Sequence, residues 1–449
     1  MAQKEKTYTV HHLVLLFALL LPLLVTWMKY SKREGPEDTT YNKPALTGIV
    51  ISDKKPVMSR ENWFDGSFQK ETEDYDNDHW AFKEISVRLN NQFYYDCFNQ
   101  LRVNNFVSGK DHYVFSETYI FSAFGDDLVA RQKFETLLEK ARVVKDSLKV
   151  RNIDLIIGFA PGKGVHCGEF ISDKYKHPVS RRNYDEMRAI ALAKKHNVMD
   201  LFNYFESLKG KSKYPLFTRF GHHWSYYGEC LAVDTIIGYI ENLRKTDLPD
   251  LLWEEVEVVD TARSRDADVL KSMNLYRNPP QDMQLAYPKI HFENDSVKNQ
   301  TRVLVLGDSY WYGPVYMGVS QQAFGYGDFW YYYNRVVPQR VAGEKVEVWQ
   351  LDLKKEVESY QAILLLYADG NLASYGNGFI EDLYEMYTHP AQFAAKRAEQ
   401  AQIQSYAKQI RENPAFLKRA TKSSNQQQIP LDSAIRLDAM RMAGLLKTP

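Results

Sequence analysis

The sequence has few cysteines and no excess charge of either sign, and each shortage excludes a class of protein. Its 449 residues include three cysteines, Cys97, Cys167 and Cys230, which show no CxxC or other metal-ligand spacing. Three cysteines give no disulfide framework and allow one disulfide at most, so we expect each to be a small buried hydrophobic residue. Lys plus Arg and Asp plus Glu both total 57. A neutral chain has no basic field for a phosphate backbone, so nucleic-acid binding is not expected.

The sequence also lacks the glycine-rich loops that bind nucleotides. Neither a Walker loop nor a GxGxxG motif after an apolar strand occurs. We therefore expect no metal, nucleotide or flavin cofactor. Aromatic residues, by contrast, are abundant, with 30 Tyr, 23 Phe and 8 Trp. Such rings suit ordinary cores and interfaces, which we favour, and they also stack against sugars.

Long apolar segments are confined to the N-terminus. From Leu13 to Met28 the sequence reads LVLLFALLLPLLVTWM, and residues 8–28 are interrupted by His11 and His12. A bilayer span needs ~17–25 largely apolar residues. No small-residue cleavage signature follows, so the segment predicts an uncleaved transmembrane anchor over 8–28 rather than a removed signal peptide. Basic residues flank both ends, and charge alone therefore does not give the orientation.

The rest of the chain divides into three parts. Residues 29–60 are polar with scattered Pro and Gly, which is typical of a linker. Residues 61–388 are predicted to form the main α/β domain, with a small hairpin over VSGKDHYVFSETY. Residues 389–449 are rich in Ala, Gln, Lys and Arg and predict two or three peripheral helices.

Apolar strands alternate with amphipathic helices through the main domain. The predicted strands are Asp154–Ala160, Val198–Phe202, Val303–Leu306, Val346–Leu351 and Ala362–Tyr367. The predicted helices are Ala130–Val150, Arg182–His196 and Tyr226–Lys245. This alternation predicts a doubly wound, mostly parallel sheet with helices on both faces. Ligands of such folds bind beyond the carboxyl ends of the strands.

One predicted strand runs directly into a serine. The sequence Val303-Leu-Val-Leu-Gly-Asp-Ser-Tyr310 places Gly307, Asp308 and Ser309 at the carboxyl edge of the sheet. Gly307 permits a sharp turn and a close backbone approach. A serine here can attack with its hydroxyl while its own N–H stabilises the oxyanion. The alternative is a structural cap, in which Asp308 or Ser309 accepts backbone N–H bonds.

A histidine motif supplies a base for that serine. In Phe220-Gly-His-His-Trp-Ser-Tyr-Tyr-Gly228, His222 and His223 precede a predicted helix. His223 is the candidate base, because an imidazole titrates near ~6.5, in the range that general base catalysis needs. We expect His222 to point elsewhere and to be solvated or structural. Asn371, after the last predicted strand, is a candidate oxyanion donor, with ordinary turn chemistry as the favoured alternative.

The two motifs together carry a family resemblance. Gly-Asp-Ser after an apolar strand resembles the first block of the SGNH (GDSL-type) hydrolases. A His-Trp turn upstream of it is similar to that of the alginate O-acetylation proteins and their DHHW relatives, which share this order of motifs. The likeness extends over about residues 45–385. Its weaker segments are Trp63–Phe68, Asp78-His79, Val107–Phe115 and Phe159–Lys163.

The resemblance implies an SGNH-like fold and an acyl ester on Ser309, formed with His223 as the base. It implies O-acetyl transfer to an extracytoplasmic polysaccharide, in partnership with a membrane-bound O-acyltransferase. It also implies a single-pass protein of the bacterial inner membrane whose main domain is periplasmic or extracytoplasmic. Hydrolysis of an acetyl ester would use the same residues with water as the acceptor.

One position departs from the family pattern. The acid of the family's triad usually lies two residues before the histidine, where this sequence has Gly221. A Ser-His pair can retain substantial rate, since the acid mainly orients and stabilises the imidazole. Asp200 and Asp369 are the carboxylates that could approach from elsewhere. The departure keeps a second hypothesis open, that of a non-catalytic scaffold that binds the glycan or a partner protein.

Overall fold

The computed structural model describes residues 46–48, 55–79, 82–179, 181–293, 301–338, 346–427 and 429–446. The predicted anchor over 8–28 and most of the predicted linker over 29–60 lie outside the described residues. Within the described ranges, no helix combines the length and the apolar character that a bilayer span requires. The chain divides into two compact units, each described by itself below.

The strands are β1 Phe106–Ser108, β2 Val114–Ser116, β3 Asp154–Ala160, β4 Asn197–Asp200, β5 Leu251–Val259, β6 Leu285–Phe292, β7 Val303–Gly307, β8 Phe329–Tyr331, β9 Arg335–Val337 and β10 Ala362–Ala368. The first helices are α1 Arg60–Phe64, α2 Ser67–His79, α3 Lys83–Phe98, α4 Glu117–Phe124, α5 Arg131–Lys149, α6 Lys163–His166, α7 Asn183–Ala193, α8 Leu201–Leu208 and α9 Tyr226–Arg244. They are followed by α10 Asp268–Ser272, α11 Tyr312–Tyr316, α12 Val319–Gln322, α13 Leu353–Val357, α14 Phe379–Thr388, α15 Pro390–Glu412, α16 Pro414–Gln427 and α17 Leu431–Met442. Short 3-10 helices cover Gly168–Phe170, Asp173–Tyr175, Ser264–Ala267, Ser309–Trp311, Val348–Gln350 and Asp369–Gly378.

The first unit comprises residues up to Ser116 together with Arg219–His222 and Ala262–Asp282. It contains α1 to α3, the β1–β2 pair and α10. β1 and β2 pair antiparallel, with Phe106 opposite Ser116, which confirms the predicted hairpin. The buried core of this unit consists of Tyr95, Val114, Phe220, Ala267, Val269, Leu270, Met273 and Leu275.

The second unit is built on a six-stranded mixed sheet in the order β4-β3-β10-β7-β8-β9. Neighbouring strands are parallel except for the antiparallel pair β8–β9. Every residue of β3, β7 and β10 is buried, as expected of apolar strands in the middle of an α/β sheet. The predicted strands at these three positions are confirmed, and the short one predicted over Val198–Phe202 is confirmed up to Asp200, whereas Leu201 and Phe202 begin α8.

The register of the sheet brings the ends of its central strands to one edge. Ala362 of β10 lies opposite both Asp154 of β3 and Val303 of β7, so the three strands start in step. The backbones of β7 and β10 are very close where β7 ends: a Cβ on Gly307 would lie 2.1 Å from the Leu366 carbonyl oxygen. Only glycine fits there, which confirms the close approach expected at this residue.

One predicted strand is wrong. Within Val346–Leu351, residues Val348–Gln350 form a 3-10 helix, and strand pairing is limited to an isolated bridge between Arg335 and Glu347. The cause is local. The Glu347 N–H donates to the Gln350 side chain at 2.8 Å, and the Glu347 side chain accepts in return from the backbone of the 3-10 turn. This reciprocal cap stabilises the turn over an extended strand.

The C-terminal helices α15, α16 and α17 have a small core of their own, formed by Ile403, Ala407, Ile410, Ala420, Ile435 and Ala439. Cys167 and Cys230 are buried as predicted, and burial raises the pKa of the Cys167 thiol to about 12. The prediction for Cys97 is wrong, because this residue is exposed. None of the three cysteines, all within the described residues, forms a disulfide.

Candidate active site

The side chains considered as an active site all belong to the second unit. Ser309 follows the carboxyl end of β7 and opens the 3-10 helix Ser309–Trp311. The preceding residue, Asp308, has an extended backbone (φ −91°, ψ −165°) and caps this helix with its side chain. Because Asp308 fulfils the capping role, the Ser309 hydroxyl is not needed for it. The structural-cap alternative therefore holds for Asp308, and the nucleophilic role of Ser309 stays a prediction.

Asp308 is fully buried and accepts hydrogen bonds from three donors. Its Oδ1 accepts from the Tyr310 N–H at 3.0 Å. Its Oδ2 accepts from the Ala368 N–H at 2.8 Å and from the Asn371 side-chain amide at 2.7 Å. Burial raises the pKa of Asp308, while these hydrogen bonds oppose the rise. The carboxylate thereby links the turn after β7 to the turn after β10.

His223 is held in a tight loop that leads into α9. The loop is closed by a β-bridge between Phe217 and Trp224. Ser225 then caps α9, since its hydroxyl accepts from the Gly228 N–H at 3.0 Å and donates to the Pro215 carbonyl at 2.7 Å. The helix cap at Ser225, two residues after His223, thus helps to fix the position of the histidine.

The structure brings His223 and Ser309 together. The His223 Nε2 lies 2.8 Å from the Ser309 Oγ, although 86 residues separate them. The Tyr310 ring contacts the imidazole edge to face, with ring centroids 5.1 Å apart. Both side chains are half-buried. With the proton of the neutral imidazole on Nδ1, the Nε2 can accept the hydroxyl proton, as nucleophilic catalysis by serine requires. The catalytic roles of the two residues stay predictions.

His222 has a structural environment within the first unit. Its backbone N–H donates to the Asp268 carboxylate at 2.9 Å. Its ring packs edge to face against Phe106, with centroids 5.4 Å apart. The expectation that this histidine is structural agrees with these contacts.

Asn371 lies in the 3-10 helix Asp369–Gly378, directly beyond β10. One N–H of its amide is directed to Asp308, and the amide also interacts with the Tyr332 hydroxyl. These contacts fix the orientation of the Asn371 side chain and connect it to a residue outside its own turn. Its predicted role as an oxyanion donor is not tested by these contacts and stays a prediction.

The two carboxylates considered as replacements for the missing acid have other partners. Asp200 accepts from the Tyr184 hydroxyl at 2.8 Å and from the Arg188 guanidinium, and it caps α8 through the Asn203 N–H. These contacts bind it to α7 and α8 rather than to His223.

Asp369 is buried beside the turn after β3. Its Oδ1 accepts from the Gly370 N–H at 2.8 Å and occupies the space that a Cβ on Gly162 would need. Burial raises the pKa of this carboxyl to about 7. None of the hydrogen bonds that the structure describes for Asp369 reaches the imidazole of His223.

Two residues of the site were missed by the sequence reasoning. Asp308 was considered only as a cap, and its bond to Asn371, 63 residues away, has no local signal. Tyr332 follows β8, a strand of three residues that was not predicted at all. Among the described residues, no three His, Cys, Asp or Glu side chains are grouped as metal ligands would be.

Comparisons with known proteins bear on the same segment. Residues 106–311 match the family model described as "SGNH hydrolase-like domain, acetyltransferase AlgX". This range contains Ser309 and His223 and is shorter than the resemblance drawn over 45–385. A comparison with curated proteins found no significant match.

Several solved structures are similar to the chain at low identity. The O-acetyltransferase domain of Pseudomonas putida AlgJ is 18% identical with a TM-score of 0.42, covering 63% of this chain and 99% of that one. Pseudomonas aeruginosa AlgX is 12% identical with a TM-score of 0.40, covering 63% and 66%. A DHHW family protein from Eubacterium siraeum is 11% identical with a TM-score of 0.32, covering 56% and 88%. The resemblance inferred from the motifs is confirmed by the family match, in which residues 106–311 are similar to an SGNH hydrolase-like domain of the AlgX acetyltransferase type.

Proposed function

We propose that this protein transfers acetyl groups to an extracytoplasmic polysaccharide through an acyl ester on Ser309. The observation that carries the proposal is the 2.8 Å separation of the Ser309 Oγ from the His223 Nε2, at the carboxyl edge of the sheet. The match of residues 106–311 to an acetyltransferase domain supports the choice of acyl transfer as the chemistry.

The first half of the reaction loads the serine. The Ser309 Oγ attacks the carbonyl carbon of the acetyl donor while the His223 Nε2 takes the hydroxyl proton. When the tetrahedral intermediate collapses, the bond to the donor's leaving group breaks, and the imidazolium gives its proton to that group. The backbone N–H of Ser309 and the second N–H of the Asn371 amide are the proposed oxyanion donors.

The second half returns the enzyme to its starting state. A sugar hydroxyl attacks the acetyl carbonyl and passes its proton to His223. The ester bond to the serine then breaks, and the Ser309 Oγ recovers the proton from the imidazolium. The products are an O-acetylated sugar and the original pair of side chains, so no further co-reactant is needed.

The donor and the location are part of the same proposal. The family resemblance favours a membrane-bound O-acyltransferase as the source of acetyl groups. The apolar segment over 8–28 is the proposed membrane anchor. The family resemblance, rather than the charges beside this segment, favours a main domain on the periplasmic side of the bacterial inner membrane. The acceptor would then be a polysaccharide outside the cytoplasm.

The test is a burst experiment on the full-length chain in detergent, with p-nitrophenyl acetate as the donor. Loading of Ser309 faster than its release gives a burst of p-nitrophenol followed by slow turnover. Ser309→Ala should abolish the burst. Ser147→Ala is the matched control, because this hydroxyl only donates to the Val143 carbonyl one turn earlier on α5. Equal product from wild type and Ser309→Ala would refute the proposal.

Two alternative functions, a non-catalytic scaffold and an acetyl-ester hydrolase, give different results in these experiments. Gly221, at the position of the family's acid, favours a non-catalytic scaffold that binds the glycan or a partner. A scaffold would not be labelled by a serine-directed sulfonyl fluoride, and its binding would survive loss of Ser309 and His223. An acetyl-ester hydrolase would show the burst, but added sugar would increase neither the release rate nor the amount of acetylated sugar.

A further inference from the structure

Four tyrosines form a row of rings beside the candidate nucleophile. Tyr312 and Tyr316 lie on α11, which follows the 3-10 helix of Ser309 directly. Their rings are stacked one helical turn apart, with centroids separated by 6.4 Å. The Tyr316 side chain is 77% exposed. The ring of Tyr316 is therefore accessible to a ligand from solvent.

The other two tyrosines come from the neighbouring strand. β8 runs parallel to β7, with Tyr331 opposite Gly307, and the Tyr332 N–H donates to the Gly307 carbonyl at 2.8 Å. The ring of Tyr331 contacts those of Tyr312 and Tyr332 at 5.0 and 4.6 Å. We call Tyr316, Tyr312, Tyr331 and Tyr332 the tyrosine row. It runs from exposed surface to the amide of Asn371, with which the Tyr332 hydroxyl interacts.

The backbone at one end of the row is in an unfavourable conformation. Three residues, Tyr332, Tyr333 and Asn334, connect β8 to β9, and the two tyrosines have left-handed φ angles of 49° and 55°. Tight hairpin turns of this kind favour Asn-Gly, and a bulky residue in this region costs ~1–2 kcal/mol. Tyrosines at both positions therefore require a compensating role.

Tyr332 and Tyr333 both pack against the core of the second unit, but their hydroxyls have different partners. Tyr333 packs against the core of the second unit, and its hydroxyl donates to the Asp382 carboxylate at 2.9 Å. Tyr332 is half-buried, and its hydroxyl interacts with the Asn371 amide beside Asp308. The turn thus directs the Tyr333 hydroxyl to Asp382 and the Tyr332 hydroxyl to the Asn371 amide of the candidate site.

We propose that the tyrosine row is the acceptor subsite and binds the pyranose rings of the polysaccharide that receives the acetyl group. This inference rests on the proposed acetyl transfer. Tyrosine suits such a ligand, since its ring face packs against the C–H face of a sugar and its hydroxyl bonds to the sugar's hydroxyls. Along the row, a chain stacked on Tyr316 and Tyr331 would present one hydroxyl to the ester on Ser309.

The test measures how sugars accelerate release of acetyl from the loaded full-length protein. The chain is loaded with p-nitrophenyl acetate, and cellohexaose, chitohexaose and xylohexaose are titrated while the slow phase is followed. At least one sugar should accelerate the slow phase. Tyr316→Ala and Tyr331→Ala should each raise the half-saturating sugar concentration roughly 3- to 10-fold, while Tyr316→Phe should raise it by less than 2-fold. Phe416→Ala, at a 42% exposed aromatic on α16, is the matched control and should have no effect.

The outcomes separate this inference from the proposed function. Absence of the burst in wild type would overturn the proposed function and the subsite together. A burst that none of the sugars accelerates would overturn the subsite alone, as would equal half-saturation in Tyr316→Ala, Tyr331→Ala and Phe416→Ala. A changed preference for the acyl chain length of p-nitrophenyl esters, without a changed sugar response, would assign the row to the acyl group and also overturn the inference.

Discussion

Replacing Asp308 by asparagine changes one atom at the centre of the site, and its effect can be worked out from three hydrogen bonds. Oδ2 accepts from two donors, the Ala368 N–H and the Asn371 amide, whereas Oδ1 accepts only from the Tyr310 N–H. The asparagine oxygen will therefore take the Oδ2 position. Its NH2 group then faces the Tyr310 N–H, donor against donor.

The expected loss of stability follows from this arrangement. A buried donor left without an acceptor costs ~1–3 kcal/mol, and hydrogen bonds to a neutral oxygen are weaker than those to a carboxylate. Removing the buried charge offsets part of this loss, because burial raises the pKa of Asp308. We expect Asp308→Asn to lower the free energy of unfolding by about 2 kcal/mol. We also expect slower loading of Ser309, since the Asn371 amide loses its charged partner.

The assay is urea unfolding of the full-length chain in detergent, followed by intrinsic fluorescence, with the acetyl burst as the second readout. The matched control is Asp352→Asn, which alters an exposed helix cap whose carboxylate accepts from the Lys355 N–H. That change should cost no more than ~1 kcal/mol and leave the burst unaltered. If Asp308→Asn is as stable as the wild type and loads at the same rate, the buried carboxylate does not organise the site and the reasoning fails.

Two further predictions concern buried positions near the same edge of the sheet. Burial raises the pKa of Asp369 from 3.8 to about 7, so this group favours the folded state fully below about pH 4, and that stabilisation is lost as the pH rises through about 7. Asp369→Asn should remove up to ~4 kcal/mol of this pH dependence in unfolding titrations between pH 4 and 8, and an unchanged slope would contradict the assignment. Gly307→Ala should destabilise the fold by more than ~3 kcal/mol in urea, because its Cβ would lie 2.1 Å from the Leu366 carbonyl oxygen. Gly238→Ala on α9, where a Cβ meets nothing within 4 Å, should instead be neutral or stabilising, and similar effects at both glycines would refute the steric argument.

The central strands could be predicted from the sequence because their burial is nearly complete. β3, β7 and β10 are continuous apolar runs, and no competing local structure is available to them. In the segment Val346–Leu351, Glu347 and Gln350 interrupt the apolar residues, and the reciprocal cap between these two decides the conformation. β5 was missed because its exposed residues, among them Glu254 and Glu255, hide the strand pattern.

The candidate site shows the same division between local and long-range information. The turn after β7 and the loop before α9 each carry a local motif, so Ser309 and His223 could be predicted from the sequence alone. Their proximity was expected from the position of strand ends and from the family resemblance. The bond between Asp308 and Asn371 depends on the pairing of β7 with β10, which sequence spacing does not specify.

The most direct test of the account is the site of acetylation in the intact protein. The full-length chain is mixed with p-nitrophenyl acetate, quenched in acid during the burst, digested and analysed by mass spectrometry. We predict one acetyl group on the peptide that contains Ser309, none in Ser309→Ala, and loading slower by at least ~10²-fold in His223→Ala but not in His177→Ala, a surface histidine paired with Asp126. Acetyl found on other residues alone, or loading of Ser309 at the same rate without the His223 imidazole, would contradict the account.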